Sequence, residues 1–412
     1  MRVIILASLF YEDTAATAKR MTHLAEDLVA QGHEVVAITG SLRGEGRSAS
    51  GLRPRAWMQT EDYHGIKVIR TWTYVPGKKT FIRRLVGFLS FMASSPFAVA
   101  RLKGKYDVLV AVSPPLFSGI SAFIISRLKR VPFVFDVEDI YPETAIVLGV
   151  LKNTFLIRVN RWLERFIYRV AAKIVVISEG FKVDITIQKR VKEAKVRVIP
   201  NWADWSAFKP VNADGLRNEQ GWQNKFVVMF AGNVGLAQGL TTLIEAARML
   251  EAHPDIQFVI AGEGIEKERL IKLSESYRLS NMTFLPARPH VKVPELLAAA
   301  DVCLVHLRRN SLYRITIPSK TYEYMAAGKP VLMGALGEAQ DLVEKAGCGI
   351  GFVPEDAEDL AASVLKLYKH PEQRKAMGEN GRRHAVENYH RHDVTGKYIQ
   401  VLQEVAHQTK NR

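Results

Sequence analysis

The sequence has few of the features that build small, secreted or membrane-spanning folds. Its two cysteines, Cys303 and Cys348, make neither a disulfide framework nor a zinc spacing, and Cys303 lies in an apolar run that suits a buried, inert thiol. A reducing, cytoplasmic compartment fits such usage. No hydrophobic run reaches the roughly twenty residues that a spanning helix needs. The opening MRVIILASLFYEDTAA carries a short apolar run that reads as a first strand, not as a signal peptide. Low-complexity tracts, sequence repeats, a ligand cluster for a divalent cation and recognised nucleic-acid-binding modules are all missing. The isolated His23, His64 and His306 read as structural.

Acidic residues are scarce in one half only. Residues 1–200 hold 31 Lys and Arg against 17 Asp and Glu, a net +14, whereas residues 201–412 hold 26 against 25. Nearly all of the +15 therefore belongs to the first half, which implies an anionic surface or substrate there. One segment favours the acidic cytoplasmic leaflet over nucleic acid. Leu85 to Ala100 is uncharged and is flanked by Arg83, Arg84, Arg101, Lys103 and Lys105. Interrupted by Ser94-Ser95-Pro96, it is too short to span and reads as a membrane-touching interfacial hairpin, the alternative being core helices with basic ends.

At 412 residues and 48% hydrophobic content the chain exceeds a single core, so two or three domains are expected. VIILASLF, a helical AATAKRMTHLAEDLVAQG and EVVAIT form a strand–helix–strand opening. DVLVAVS, PFVFDVE, KIVVIS and VRVIP continue it. Such continuous apolar runs mark strands covered on both faces of a parallel sheet. The rhythm restarts at KFVVMFAGN and runs through IQFVIAGEG, MTFLPA, DVCLVHL and PVLMGA, with NWADWSAFKPVNADG (201–215) between the series as a linker. The fold class is α/β: two doubly wound, Rossmann-like domains with the carboxyl ends of their strands turned to a shared cleft. A last helix is expected from about Arg374 to His407.

Glu323 is out of place in YRITIPSKTYEYMAAGKPV, a segment of aromatic, Met and Ala residues. Pro318-Ser319 signals a helix start and Gly328 its stop, so Glu323 falls one turn inside a short helix. Ser319 and Lys320 at that N-terminus suit a diphosphate, and a carboxylate one turn on suits the two hydroxyls of a ribose. On the same sheet edge, AGNVGLAQGLTTL places Gly232, Gly235 and Gly239 before a helix, and AGEG supplies a second glycine turn. Together these residues describe a nucleoside diphosphate site.

Six stretches in order, LAEDLVAQGHEVVAITG, VRVIPNWADWSAFKP, FAGNVGLAQGLTTLIEAA, FVIAGEGIEKERL, ADVCLVHL and PSKTYEYMAAGKPVL, give the chain its resemblance. It resembles a GT-B-fold, retaining family 4 glycosyltransferase over essentially its whole length, in the bacterial branch that transfers amino sugars such as N-acetylfucosamine during surface-polysaccharide or O-antigen assembly. The resemblance implies an acceptor-binding domain over 1–200, a nucleotide-sugar domain over 201–385, and a helix over 386–412 that packs back toward the first domain. It implies a UDP-linked donor, a lipid-linked saccharide acceptor, no metal or other cofactor, and a peripheral place at the inner face of the cell membrane. Glu323 matches the second glutamate of the family's Glu-x7-Glu motif, while Ile315 stands where the first belongs, with Tyr313, Arg314 or Thr316 as substitutes. Gly232 and Asn233 match the phosphate loop. Gln238, before Gly239, replaces a common lysine whose charge Lys320 or Arg314 supplies, and Arg288 completes the donor-binding set.

In the first domain, Glu138-Asp139 takes the place of the family's His-Asp, with strand-end capping as the alternative for Asp136 and Asp139. Thr14, Ala15, Ala16 and Thr17 replace a Gly-Gly turn near the diphosphate. Lys320, Glu138 and Asp139 are the catalytic candidates. A nucleotide-sugar epimerase of the same fold and a catalytically silent partner subunit remain as alternative readings.

Overall fold

The computed structural model describes residues 1–11, 15–41, 57–75, 81–204, 207–208 and 211–410. They form two units, Met1–Pro200 with His392–Arg412, and Asn201–Arg391. Both are Rossmann-like α/β layers.

The first unit holds β1 (Arg2–Leu6), β2 (Glu34–Thr39), β3 (Met58–Tyr63), β4 (Ile66–Thr71), β5 (Val108–Ser113), β6 (Phe133–Val137), β7 (Lys173–Val176) and β8 (Val196–Val198). They lie in the order β3-β4-β2-β1-β5-β6-β7-β8. Its helices are α1 (Ala16–Ala30), α2 (Phe81–Ala100), α3 (Ser118–Lys129), α4 (Glu143–Val147), α5 (Thr154–Val170) and α6 (Glu179–Val183). Every residue of β5, β6 and β7 is buried, as apolar runs covered on both faces must be. The β3–β4 hairpin is the antiparallel exception. The sequence reading missed it, although its turn, His64-Gly65 with both φ positive, is a hairpin signal.

The second unit holds α7 (Asp214–Glu219), then β9 (Phe226–Ala231), β10 (Ile256–Ala261), β11 (Met282–Leu285), β12 (Val302–His306), β13 (Val331–Gly334) and β14 (Gly349–Gly351), in the order β11-β10-β9-β12-β13-β14. All of these pairs are parallel. Helices α8 (Thr241–Met249), α9 (Lys267–Ser276), α10 (Val293–Ala298), α11 (Ser319–Ala326), α12 (Glu338–Lys345), α13 (Ala357–Lys369) and α14 (Pro371–Asn388) cover them. Finally α15 (Arg391–Lys410) returns the chain to the first unit. Strand order reverses between β1 and β5 and between β9 and β12, and the crevices above these two points are where such sheets take ligands.

Three expectations are corrected. The expected hairpin over Leu85 to Ala100 is one continuous helix, α2, with Pro96 inside it. Pro96 cannot donate to the Met92 carbonyl one turn back, and Ser121 Oγ of α3 donates to that oxygen instead, at 3.0 Å. Phe91, Ser95, Ala98 and Val99 are buried, so one face of α2 is ordinary core. The single terminal helix from Arg374 to His407 is two, α14 and α15, because Tyr389 packs edge-on against Tyr322 and His390 leaves helical pairing for a β-bridge with Ala203. Residues 386–388 accordingly finish α14. The expected linker is packed: Phe208 is buried in the core of the second unit and its carbonyl accepts from Arg382.

Arg20 ties the first unit together. From the buried face of α1 its Nε donates to Asp136 Oδ2 of β6 at 3.0 Å, and its two Nη atoms donate to the carbonyls of Ile199 and Pro200 at 2.9 Å. Its guanidinium also lies 5.7 Å from the ring centroid of Tyr398 on α15. Nearby, Thr395 of α15 donates to Asp27 of α1 at 2.5 Å. Asp136 is therefore half of a buried ion pair inside β6, which corrects its reading as a strand-end cap. Removing one partner of a buried pair strands the other charge. Arg20→Met is expected to lower the stability of the first unit by about 3–5 kcal/mol, and Arg20→Met with Asp136→Leu to recover most of it; urea unfolding followed by a first-unit tryptophan measures both.

Candidate functional site

In the second unit the site is built on backbone first. The turn after β9 needs Gly232, whose φ is +139°, and Gly262 after β10 sits so close that a Cβ on it would lie 1.9 Å from the Gly232 carbonyl oxygen. A Cβ on Gly264 would likewise meet the Val234 carbonyl at 2.0 Å. Only glycine lets the two turns stack, with Gly232 N donating to Ala261 O and Val234 N to Glu263 O.

The turn is then fixed by side chains. Gln238 Oε1 accepts from Gly235 N at 3.1 Å, so this residue closes the loop. His306, at the end of β12, bonds the Gln238 carbonyl through Nδ1 at 2.6 Å and accepts from Glu355 N at Nε2, which places its proton on Nδ1. Burial pushes its pKa down and keeps it neutral. Tyr324 of α11 clamps the end of β9, its hydroxyl donating to Ala231 O at 2.9 Å and accepting from Ala231 N at 3.0 Å.

Lys320 is the unusual member. It stands in the first turn of α11, whose N-terminal amides no side chain among the described residues caps. Its Nζ lies 3.6 Å from the Phe230 ring centroid and 3.0 Å from where a Cβ on Gly232 would be. That ammonium is buried, with no hydrogen-bond partner among the described residues. Desolvation lowers its pKa to about 7, against the opposing charge of Glu323 one turn on. A buried cation beside a glycine turn and a helix N-terminus has the chemistry to hold an anion.

Ser319 and Glu323 are half-buried in the same helix, and Asn233 is exposed beside Gly232. Gly239 holds a left-handed φ of +54° against His306 and Arg308. Two candidates fare differently. Tyr313 is drawn into the hydrophobic core of this unit, whereas Arg314 beside it is exposed. Arg288 follows β11, the edge strand, two strands from the Gly232 turn.

The first unit gathers Glu138 and Asp139 after β6 with Thr17 in the first turn of α1. Thr17 Oγ1 donates to Glu138 Oε2 at 2.8 Å, and Arg20 Nε is 4.0 Å from Oε1. Burial, then the Asp136 charge, raises the Glu138 pKa to about 8 against the pull of Arg20, and burial raises that of Asp139 to about 6. Burial thus favours the protonated form of Glu138. Ala15 takes an ordinary φ of −67° before α1, so no glycine is required there, and Ala16 opens the helix exposed. Thr14 lies outside the described residues. Sequence reasoning missed Arg20, Phe230 and Tyr324. The one available signal was Arg20 among Ala18, Met21 and Leu24 on the apolar face of α1, facing an aspartate in an otherwise apolar strand.

Comparisons with known proteins match both halves. Residues 16–202 match the glycosyl transferase 4-like domain and residues 213–384 match the glycosyl transferases group 1. A putative colanic acid biosynthesis glycosyl transferase, WcaI of Escherichia coli K12, is 29% identical over 384 residues, covering 90% of this chain and 93% of its own. Among solved structures, Anabaena HepE in complex with UDP and glucose superposes with a TM-score of 0.74 at 19% identity, covering 98% and 99% of the two chains. WaaG, a glycosyltransferase involved in lipopolysaccharide biosynthesis, gives 0.70 at 16%, covering 97% and 99%.

The lowered Lys320 pKa has a measurable linkage. An anion that binds beside it raises that pKa, so binding of uridine diphosphate at pH 8.5 is expected to take up most of a proton. Affinity should fall with rising pH above about 7, by at most about tenfold per unit. Calorimetry in two buffers of different ionisation enthalpy detects the uptake, and Lys320→Met is expected to abolish it.

Proposed function

Because the chain belongs to the GT-B glycosyltransferases of the group 1, 4-like type, with relatives in bacterial polysaccharide biosynthesis, we propose that it moves an N-acetylated amino sugar, with retention, from a UDP-sugar to a lipid-linked saccharide at the cytoplasmic face of the membrane. The observation that carries this reading is the Lys320 ammonium, buried with no hydrogen-bond partner among the described residues, between the Gly232 turn and the N-terminus of α11. The UDP bound by Anabaena HepE supports the choice of nucleotide.

Each residue then has a task. Lys320, with the amides near Ser319 and Gly239, neutralises the departing diphosphate as the anomeric carbon–oxygen bond breaks. Glu323 accepts from the ribose hydroxyls, and exposed Arg314 supplies a second cation in place of the absent lysine at Gln238. The acceptor hydroxyl attacks on the same face, and a donor phosphate oxygen takes its proton, so no side-chain base is required. Protonated Glu138 and neighbouring Asp139 orient the sugar or the acceptor. Charge neutralisation by Lys320 and helix amides leaves no step that needs a divalent cation.

Two outcomes test the reading. Uridine diphosphate is expected to raise the melting temperature, and Glu323→Ala to remove most of that shift, since each charge-assisted hydrogen bond contributes about 1.5–3 kcal/mol. An unchanged shift in the variant removes the ribose role. Transfer activity is also expected to persist in a chelator; a strict requirement for Mg²⁺ would overturn the metal-free mechanism.

A further inference from the structure

The exposed side of α5 is unusual for a helix on a water-soluble surface. Its buried face is conventional, with Leu163, Ile167 and Tyr168 against the sheet. The opposite face carries two parallel stripes. One is apolar, Phe155, Val159, Trp162 and Phe166, at helical spacing, with Phe155 67% and Trp162 66% exposed. The other is Arg158, Arg161, Arg165 and Arg169, all exposed. Trp162 stacks on Phe166 at 5.8 Å, and Phe166 meets Phe123 of α3 at 5.1 Å, so the apolar stripe continues onto α3, where Leu128 is 61% exposed.

Charge on these helices is nearly all of one sign. Between Asp62 and Asp136 the sequence holds a single acid, Asp107, and α2, α3 and α5 together contain only Glu164. Glu164 is buried and bonded to Lys189 at 3.0 Å, Lys189 also meets Glu143, and Glu143 pairs with Arg161. Past the end of the apolar stripe, a cavity of about 790 Å³ is lined by Arg165, Arg169, Lys189, Arg190, Lys192 and Lys195. Among the described residues no carboxylate pairs with Arg165, Arg169, Arg190 or Lys192; the nearby Glu193 is taken by Lys182.

We propose that this face of α5 is the surface by which the protein lies on an anionic bilayer, with Phe155, Val159 and Trp162 entering the headgroup boundary and the cationic cavity beside Arg165 and Arg169 receiving a lipid phosphate. An apolar stripe alone would fit a protein partner as well. The adjoining arginines and the scarcity of acids on α2, α3 and α5 select a surface that is both apolar and negative. This places the contact on α5 and α3, not on the Leu85 to Ala100 segment, whose Phe91 belongs to the core. The inference rests on the reading of a membrane-borne acceptor only for its purpose, since the surface is separate from the donor site.

The test is co-sedimentation of the full-length protein with vesicles of phosphatidylcholine alone or with one-third phosphatidylglycerol. Wild type is expected to pellet with the anionic vesicles and to be released by salt. Phe155→Ser with Trp162→Ser, and separately Arg165→Glu with Arg169→Glu, are each expected to weaken partitioning on the order of tenfold or more. Val86→Ser with Leu89→Ser on α2 is expected to leave it unchanged. All three double variants should keep the uridine diphosphate melting shift, which shows them folded and reads the donor site independently. Equal pelleting of the α5 variants and wild type, pelleting with neutral vesicles alone, none with either lipid, or loss only in the α2 variant would each overturn the proposal.

Discussion

The buried Arg20 is the interaction on which the first unit depends. One guanidinium holds α1 to β6 through Asp136, to the chain exit through the carbonyls of Ile199 and Pro200, and to α15 through Tyr398. A cation buried among apolar strands is tolerated only because every direction of its fork finds an acceptor. The same charge sets the chemistry above it. Burial, and then the repulsion of Asp136, raises the pKa of Glu138, and Arg20, whose nearest partner is Asp136, offsets only part of that rise.

The second unit makes the opposite arrangement at Lys320. Here the cation is buried over the face of Phe230 without an acceptor among the described residues, and its depressed pKa is a standing cost to the fold. That cost is greatest below pH 7, where the ammonium is charged in the folded state, and it fades as pH rises toward the ordinary lysine range. Around it the backbone is rigid: stacked glycine turns, Tyr324 on β9 and His306 under Gln238 leave the loop nowhere to relax. An anion would meet preformed donors and repay the desolvation at once, which is how a site gains affinity without moving.

The excess charge of the first half has a place once α2, α3 and α5 are seen to form one side of its sheet. Their inner faces are core and their outer faces hold arginine, lysine and large apolar side chains. The second half of the chain, by contrast, balances its cations with acids, 26 against 25.

The sequence by itself determined the two parallel sheets, because continuous apolar runs at regular spacing have few other ways to be buried. It also determined the glycine turns and the short helix at Ser319. It did not reveal the β3–β4 hairpin, whose half-polar strands look like loop, nor the break at Tyr389, nor that Pro96 leaves α2 intact. Each of those was decided by a partner distant in the chain: β4 for β3, Ala203 for His390, Ser121 for the Met92 carbonyl. Burial was decided in the same way. Phe91 and Phe155 look alike in sequence, yet one is core and the other faces solvent, and the burial of Lys320 shows only once Phe230 and Gly232 close around it. Local periodicity is written in the chain, but desolvation depends on which surfaces meet, and only the folded structure brings them together.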